Sequence, residues 1–196
     1  MAVHAGSVPA LLLALRGENA RDPHLLALTL APPALAGLLL ERLVEERLGG
    51  PRSVALAQIL AGAALLAADL APERRSAPSA ADHVAAGVAQ AVALLPGVSR
   101  SGAVLTAARG RRLTREAAAS LALRAAVPVT AGAGVLKGAR ILRQGVPKEL
   151  RASLAVGAGA ALVTGLAAVP LARRTRWRGL AAYRIALGAA TLWRGM

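Results

Sequence analysis

From Ala152 to Ala172 the chain runs 21 residues without a charge. As a helix rising ~1.5 Å per residue, such a run spans the hydrocarbon of a bilayer. Shorter runs recur along the chain. Residues 2–15 are apolar and end at Arg16; residues 25–40 are uncharged, with Pro32-Pro33 at their centre; residues 53–68 are uncharged. Residues 84–108 carry only Arg100, residues 117–136 only Arg124, and residues 179–193 only Arg184. The runs at 25–40 and 53–68 reach full span length once flanking residues and snorkelling arginines are included. The pattern predicts an all-α, polytopic integral membrane protein, with about five or six spanning segments by the length criterion. Residues 1–196 read as a single transmembrane domain, with no soluble domain and a polar linker at 71–83.

Composition supports the same class. Hydrophobic residues make up 56% of the chain, and charged residues only 17%, against ~25% in an ordinary soluble domain. The net charge of +14 raises the alternative of a nucleic-acid binder. The charges, however, cluster at Arg109–Arg115, Lys137–Arg151 and Arg173–Arg178, between apolar runs. Basic loops beside membrane spans follow the positive-inside tendency and the pull of anionic lipid, so no nucleic-acid partner is expected. Because the 137–151 loop is basic too, charge bias leaves the orientation open. With no cysteine there is no disulfide framework and no thiolate metal site. Residues 1–15 lack the basic lead of a cleavable signal peptide.

One segment breaks the apolar pattern in a way that concentrates chemistry. Leu94-Leu95-Pro96-Gly97-Val98-Ser99-Arg100-Ser101-Gly102-Ala103 places two hydroxyls, a guanidinium and two backbone breakers inside the 84–108 run. A helix over 84–95 cannot continue through Pro96-Gly97. Ser99 is suited to cap a second short helix running toward Ala108. Two half-helices meeting at a polar elbow predict a re-entrant, broken helix pair over about 84–108, which membranes tolerate when it is buried in protein or lines a wet cavity. The second half-helix offers free N–H groups at Ser99 and Ser101, a ready anion site. Arg100 adds a guanidinium fork matched to phosphate oxygens. Pro96 and Gly97 fix the turn, and Gly97 lets a ligand approach the backbone. A phosphate or diphosphate pocket follows; a kinked helix whose Arg100 snorkels to headgroups fits the same residues. Downstream, Thr114 is placed to cap the next helix, with Glu116 in its first turn.

The stretch from Gly87 to Ala103 closely resembles the second signature of the undecaprenyl-diphosphatase (bacitracin-resistance) family. Thr114-Arg115-Glu116-Ala117-Ala118, Val127-Pro128-Val129 with Gly132-Ala133, and Tyr183-Arg184-Ile185 follow in that family's order across nearly the whole chain. The resemblance implies an inverted-repeat membrane fold in the bacterial plasma membrane. It implies removal of the terminal phosphate from undecaprenyl diphosphate, a polyprenyl diphosphate lipid, for carrier recycling in cell-wall synthesis. By the same resemblance Ser99, Arg100 and Ser101 are the catalytic candidates, with Arg100 neutralising the phosphoryl group. Gly97, Gly102, Gln90 and Pro96 are the substrate-binding candidates. The family implies a divalent cation, Mg²⁺ or Ca²⁺, and leaves room for a homo-oligomer. A non-catalytic lipid-phosphate binder or transporter on the same architecture is the alternative.

The chain departs from the family pattern in three places. The earlier signature, an acidic E-x-x-x-E pair followed by a Pro-Ile-Ser-Ser-type turn and a His, is not found; Met1 is expected to fall after it. The resemblance attributes cation binding largely to those acidic residues, so no metal ligand is assigned and weak or no turnover by this chain alone is expected. Val104 stands where the family has Thr, and Thr106, about 200° around the helix, is a poor substitute. Arg124 replaces an apolar span residue. Glu41 and Glu45 share a helix face but lack the Ser turn and His, which favours a solvated helix. Gln90 occupies the slot of the first acidic residue in the repeated pattern and is expected to line the site. His4, His24 and His83 have no zinc-site spacing. Arg184 is expected to snorkel, Trp177 and Trp193 to anchor in the interface, and Gly157, Gly159 and Gly165 to pack helices.

Overall fold

The computed structural model describes residues 23–144 and 177–194, together with residues 152, 153, 156, 157, 159–164 and 166. The apolar run at 2–15 and His4 lie outside them, as does much of the 152–172 run. Six helices are bounded: α1 Pro23–Leu48, α2 Pro51–Asp69, α3 Ala80–Val92, α4 Arg100–Gly110, α5 Arg115–Gln144 and α6 Arg178–Arg194. The described residues between 152 and 166 are helical too. There is no strand among the described residues. Contacts divide the chain into two bodies, one of Met1–Ala20 with Leu123–Arg174, the other of Arg21–Ala122 with Thr175–Met196. In the first, α5 carries Pro128 and continues to Gln144, and Ala161 is buried. The elbow lies in the second.

Within that second body the helix starts follow the expected chemistry. Pro51 opens α2, where a missing N–H costs nothing. Ser99 caps α4 and Thr114 caps α5, the latter accepting from the Ala117 N–H at 3.2 Å.

α1 stays continuous through Pro32 and Pro33 because α3 is packed against it. Each proline removes the bond to the carbonyl four residues earlier, leaving Leu28 and Thr29 without their helical donors. The Gln90 side-chain amide donates to the Thr29 carbonyl at 3.1 Å. One turn earlier, Gly87 lets the backbone at Leu28 come so close that a Cβ there would sit 2.7 Å from that oxygen. His83 Nδ1 lies 2.9 Å from the Thr29 hydroxyl. His83, Gly87 and Gln90 thus form the face of α3 that packs on the proline-broken turn, and Gln90 replaces one of its lost donors. Replacing Gln90 by Leu strands a buried carbonyl. We expect a loss of about 1–3 kcal/mol, measurable as a lower unfolding midpoint in detergent.

α2 and α6 pack closely through small residues spaced seven apart, Ala55 and Gly62 on one, Ala181 and Gly188 on the other. A Cβ at Gly188 would meet the Ala55 carbonyl at 2.6 Å, and one at Gly62 the Ala181 carbonyl at 3.0 Å. Small residues of this kind suit helix contacts in lipid.

Pro23–Leu40 of α1 and Pro51–Asp69 of α2 are long and apolar enough to cross a membrane. Leu35, Leu38 and Leu39 point outward from α1, as leucines do toward acyl chains. Among the described residues these are two of the five or six expected spans. α5 carries Arg124 and a basic end, and α6 has 17 residues interrupted by Arg184.

The 71–83 segment is not a loose linker. Arg74 and Arg75 donate backbone N–H groups to the Arg112 carbonyl at 2.9 and 3.2 Å, and Thr114 donates back to Arg75 at 2.8 Å. The arginines of 109–115, expected to face anionic lipid, are largely used internally. Arg109 is fully buried and bonds the carbonyls of Leu113, Asp69 and Ala71. Arg115 bonds Asp69 at 2.7 Å and Glu73 at 2.8 Å. Asp82, in the first turn of α3, is gripped bidentately by Arg75 at 2.9 and 3.0 Å, by Arg111, and by the Ser79 N–H and hydroxyl at 2.7 Å each. These contacts tie the ends of α2, α3, α4 and α5 together. Trp177, expected in the interface, is instead buried, its carbonyl accepting from Ala181; Trp193 is exposed.

Burial opposes ionisation of Asp82, but the Arg75, Ser79 and Arg111 donors outweigh it and hold the carboxyl well below the usual carboxylate range. The folded-state pKa lies below the unfolded value of about 4. Its stabilisation is therefore complete above that pH and lost as pH falls further. The unfolding midpoint should drop on acidification below about pH 4, and Asp82→Asn should lower it at neutral pH and flatten that dependence.

Candidate functional site

α3 ends at Val92 and the chain turns over residues 93–99 before α4 begins. Leu94 and Leu95 close tight turns onto Ala91 and Val92, each at 3.1 Å. Leu95-Pro96-Gly97-Val98 then closes with Val98 N–H on the Leu95 carbonyl at 3.0 Å. Proline second and a positive-φ glycine third is the residue pattern of a type II turn. Gly97 has φ +97°, and a Cβ on it would lie 2.4 Å from the Val54 carbonyl of α2. Two independent demands therefore select glycine here. Ser99 is extended (φ −79°, ψ 125°), and its Oγ accepts from the Gly102 N–H at 3.2 Å. The helix, break and cap read from the sequence are all present.

Behind the elbow is a cavity of about 620 Å³. α2 contributes Leu56, Ala57, Leu60, Ala61, Ala64 and Leu65; α3 and the elbow contribute Ala89, Val92, Leu95, Pro96 and Val98. Its polar side chains are Ser53, Ser99, Thr106 and Arg184. Thr106 also donates to the Gly102 carbonyl at 2.8 Å. Arg184 reaches in from α6 and donates from Nη2 to the Gly97 carbonyl. The cavity is a greasy slot with one guanidinium and hydroxyl groups on its wall.

The structure distributes the sequence candidates unevenly. Ser99, Pro96 and Gly102 line the cavity. Gly97 holds the turn and receives Arg184. Gln90 is buried and does not line this cavity, because Pro33 leaves the Thr29 carbonyl in need of its amide. Arg100 and Ser101 are exposed and are not on the cavity wall. Arg100 does occupy the helix row of Ala103 and Ala107, both wall residues, one turn closer to the N-terminus. Ser101 belongs to the row of Val104, Leu105 and Ala108, which faces the core. Thr106, turned away from the expected Thr position, nonetheless lines the cavity. Arg184, expected to snorkel, is a cavity-wall residue that the sequence reading undervalued. A solitary arginine in an apolar helix calls for an interior partner, and that was the available signal.

Among the described residues, the donor set does not suit a divalent cation. No carboxylate lines the cavity, and no group of three His, Cys, Asp or Glu able to hold a metal occurs among the described residues. Hard cations require oxygen ligands, normally including carboxylates. The side chains of Glu41 and Glu45 lie outside the described set.

The model of the family "Bacitracin resistance protein BacA" matches residues 3–190 of this sequence. The chain belongs to the BacA family. Undecaprenyl-diphosphatase of Geobacter sulfurreducens is 35% identical over 183 residues, covering 89% of this chain and 68% of the relative. That of Salinibacter ruber is 32% identical over 169 residues, covering 84% and 62%. That of Rubrobacter xylanophilus is 33% identical over 186 residues, covering 89% and 68%. This BacA-family chain thus spans about two thirds of the length of these relatives. The match takes in the elbow, the 109–115 ion-pair cluster and Arg184 together.

Proposed function

We propose that this protein is an undecaprenyl-diphosphate phosphatase. It adds water across the P–O–P bond of the lipid diphosphate, releasing phosphate and leaving undecaprenyl phosphate for the cell-wall carrier cycle. One observation carries the reading: a guanidinium and a capped helix N-terminus share one apolar cavity in a member of the BacA family. A polyprenyl diphosphate has that same split character, a multiply charged head on a hydrocarbon tail. The leucine and alanine walls accept the first isoprene units, and the rest of the tail lies in the bilayer. Arg184 and Arg100 approach the diphosphate from two helices, Ser99 and the first-turn N–H groups of α4 donate to it, and Ser53 faces it from α2. Charge developing on phosphoryl oxygens is met by donors already in place.

The helix pair α3–α4 reads as the re-entrant element of a multi-pass protein of the bacterial plasma membrane. Its support is the elbow itself, whose open backbone is housed by protein on the α2 side. An inverted repeat is consistent with the family resemblance.

The test is phosphate release from undecaprenyl diphosphate by the purified chain in bilayers. Release that exceeds the Arg184→Ala background supports the reading. Binding of the lipid with no release at any pH or cation supply would favour a non-catalytic lipid-phosphate binder instead.

A further inference from the structure

Four described carboxylates of the second body are engaged in a way that bears on how it holds an anion, while Glu116 is exposed in the first turn of α5. Asp69 and Glu73 are both bonded by Arg115. Asp82 is bonded by Arg75 and Arg111. Glu46 is paired with Arg42 at 2.9 Å. None of the four lines the cavity. Arg75 and Arg111 take up both oxygens of Asp82, whereas Asp69 keeps one buried oxygen, Oδ2, without a bonding partner, away from the cavity. The cavity, in contrast, presents hydroxyls and a guanidinium, donors that suit an anion and offer a dication no charge compensation. With this distribution a diphosphate brings the negative charge and the protein supplies the positive.

We infer that the elbow cavity captures a polyprenyl diphosphate head with guanidinium and hydroxyl donors alone, without a bridging divalent cation. The ligand class rests on the phosphatase reading; the cation independence rests on the donor set. Arg184 supplies the permanent charge inside the cavity. Its guanidinium has further N–H donors beyond the one given to Gly97, so it can hold the elbow and a phosphate oxygen at once. Arg100, one turn beyond Ala103 on the same helix row, supplies a second charge at the rim.

Isothermal titration of the full 196-residue chain in detergent with farnesyl diphosphate, in EDTA and then in Mg²⁺ or Ca²⁺, tests this. We expect dissociation constants in the two conditions to agree within about threefold, a difference under 1 kcal/mol. Arg184→Gln should weaken binding in EDTA by about ten- to a hundredfold, as for a lost hydrogen bond to a charged group. Arg184→Lys should recover part of it and, by circular dichroism, report whether the fold is kept. Binding that needs the cation overturns the inference and leaves the phosphatase reading standing. Absence of binding in both conditions overturns the reading of the cavity and the inference with it. Cation-free binding that survives Arg184→Gln overturns the assignment of capture to this donor set.

Discussion

Arg184→Ala is expected to cut phosphate release from undecaprenyl diphosphate by about a hundred- to a thousandfold, the usual loss when one preorganised donor to developing oxyanion charge is removed. Two effects combine. The cavity loses its permanent charge, so the diphosphate head is desolvated without compensation. The Gly97 carbonyl also loses the guanidinium that holds the elbow from α6. Lys at this position restores the charge without the planar fork and should recover only part of the rate. Equal decreases in kcat and kcat/KM would place the interaction in the transition state; a rise in KM alone would make Arg184 a binding residue. Arg100→Ala should act more weakly, because Arg100 is exposed at the rim. Should Arg100→Ala abolish turnover and Arg184→Ala leave it intact, the roles of the two arginines are reversed.

Gly97→Ala is expected to have the largest effect on the fold. The left-handed backbone costs a non-glycine residue about 1–2 kcal/mol. The new methyl would also press on the Val54 carbonyl, where an unmoved Cβ stands at 2.4 Å. Backbone cannot give way as a flexible side-chain tip can, so α2 and the elbow must separate. A total of about 2–4 kcal/mol is expected, read as a fall of roughly 5–15 °C in the unfolding midpoint. Activity should fall further than stability, because the separation opens the cavity between α2 and α4. Gly102→Ala provides the contrast. A Cβ there would meet only the Ser99 side chain, at 3.2–3.4 Å, and a milder loss is expected.

Much of the elbow was legible because local chemistry dictates it. Pro96 and Gly97 stop one helix, Ser99 starts the next, and Thr114 starts the one after, all from neighbours within a few residues. What escaped the sequence depends on partners far along the chain. Gln90 carries the mark of a site residue, an amide in an apolar helix. Its partner, the Thr29 carbonyl freed by Pro33, is 61 residues away, and only the packing of α3 on α1 reveals it. Arg184 and the Gly97 carbonyl are separated by 87 residues. The run 109–115 reads as a basic loop until Asp69, Glu73 and Asp82 are folded against it. The cue was present: the acids Asp69, Glu73 and Asp82, in and beside one polar segment, are matched by the arginines of 109–115. Trp177 looked like an interface anchor by composition, but burial decides between interface and core, and burial is a tertiary property.

The most direct test is photo-crosslinking with a polyprenyl diphosphate that carries a diazirine on its first isoprene unit, followed by mass spectrometric mapping. If the diphosphate sits at the elbow, crosslinks fall on Leu56, Leu60, Val92 or Leu95, and unlabelled lipid diphosphate competes them away. Crosslinks confined to the outward leucines Leu35, Leu38 and Leu39, or indifferent to competitor, would contradict a lipid-diphosphate seat in this cavity.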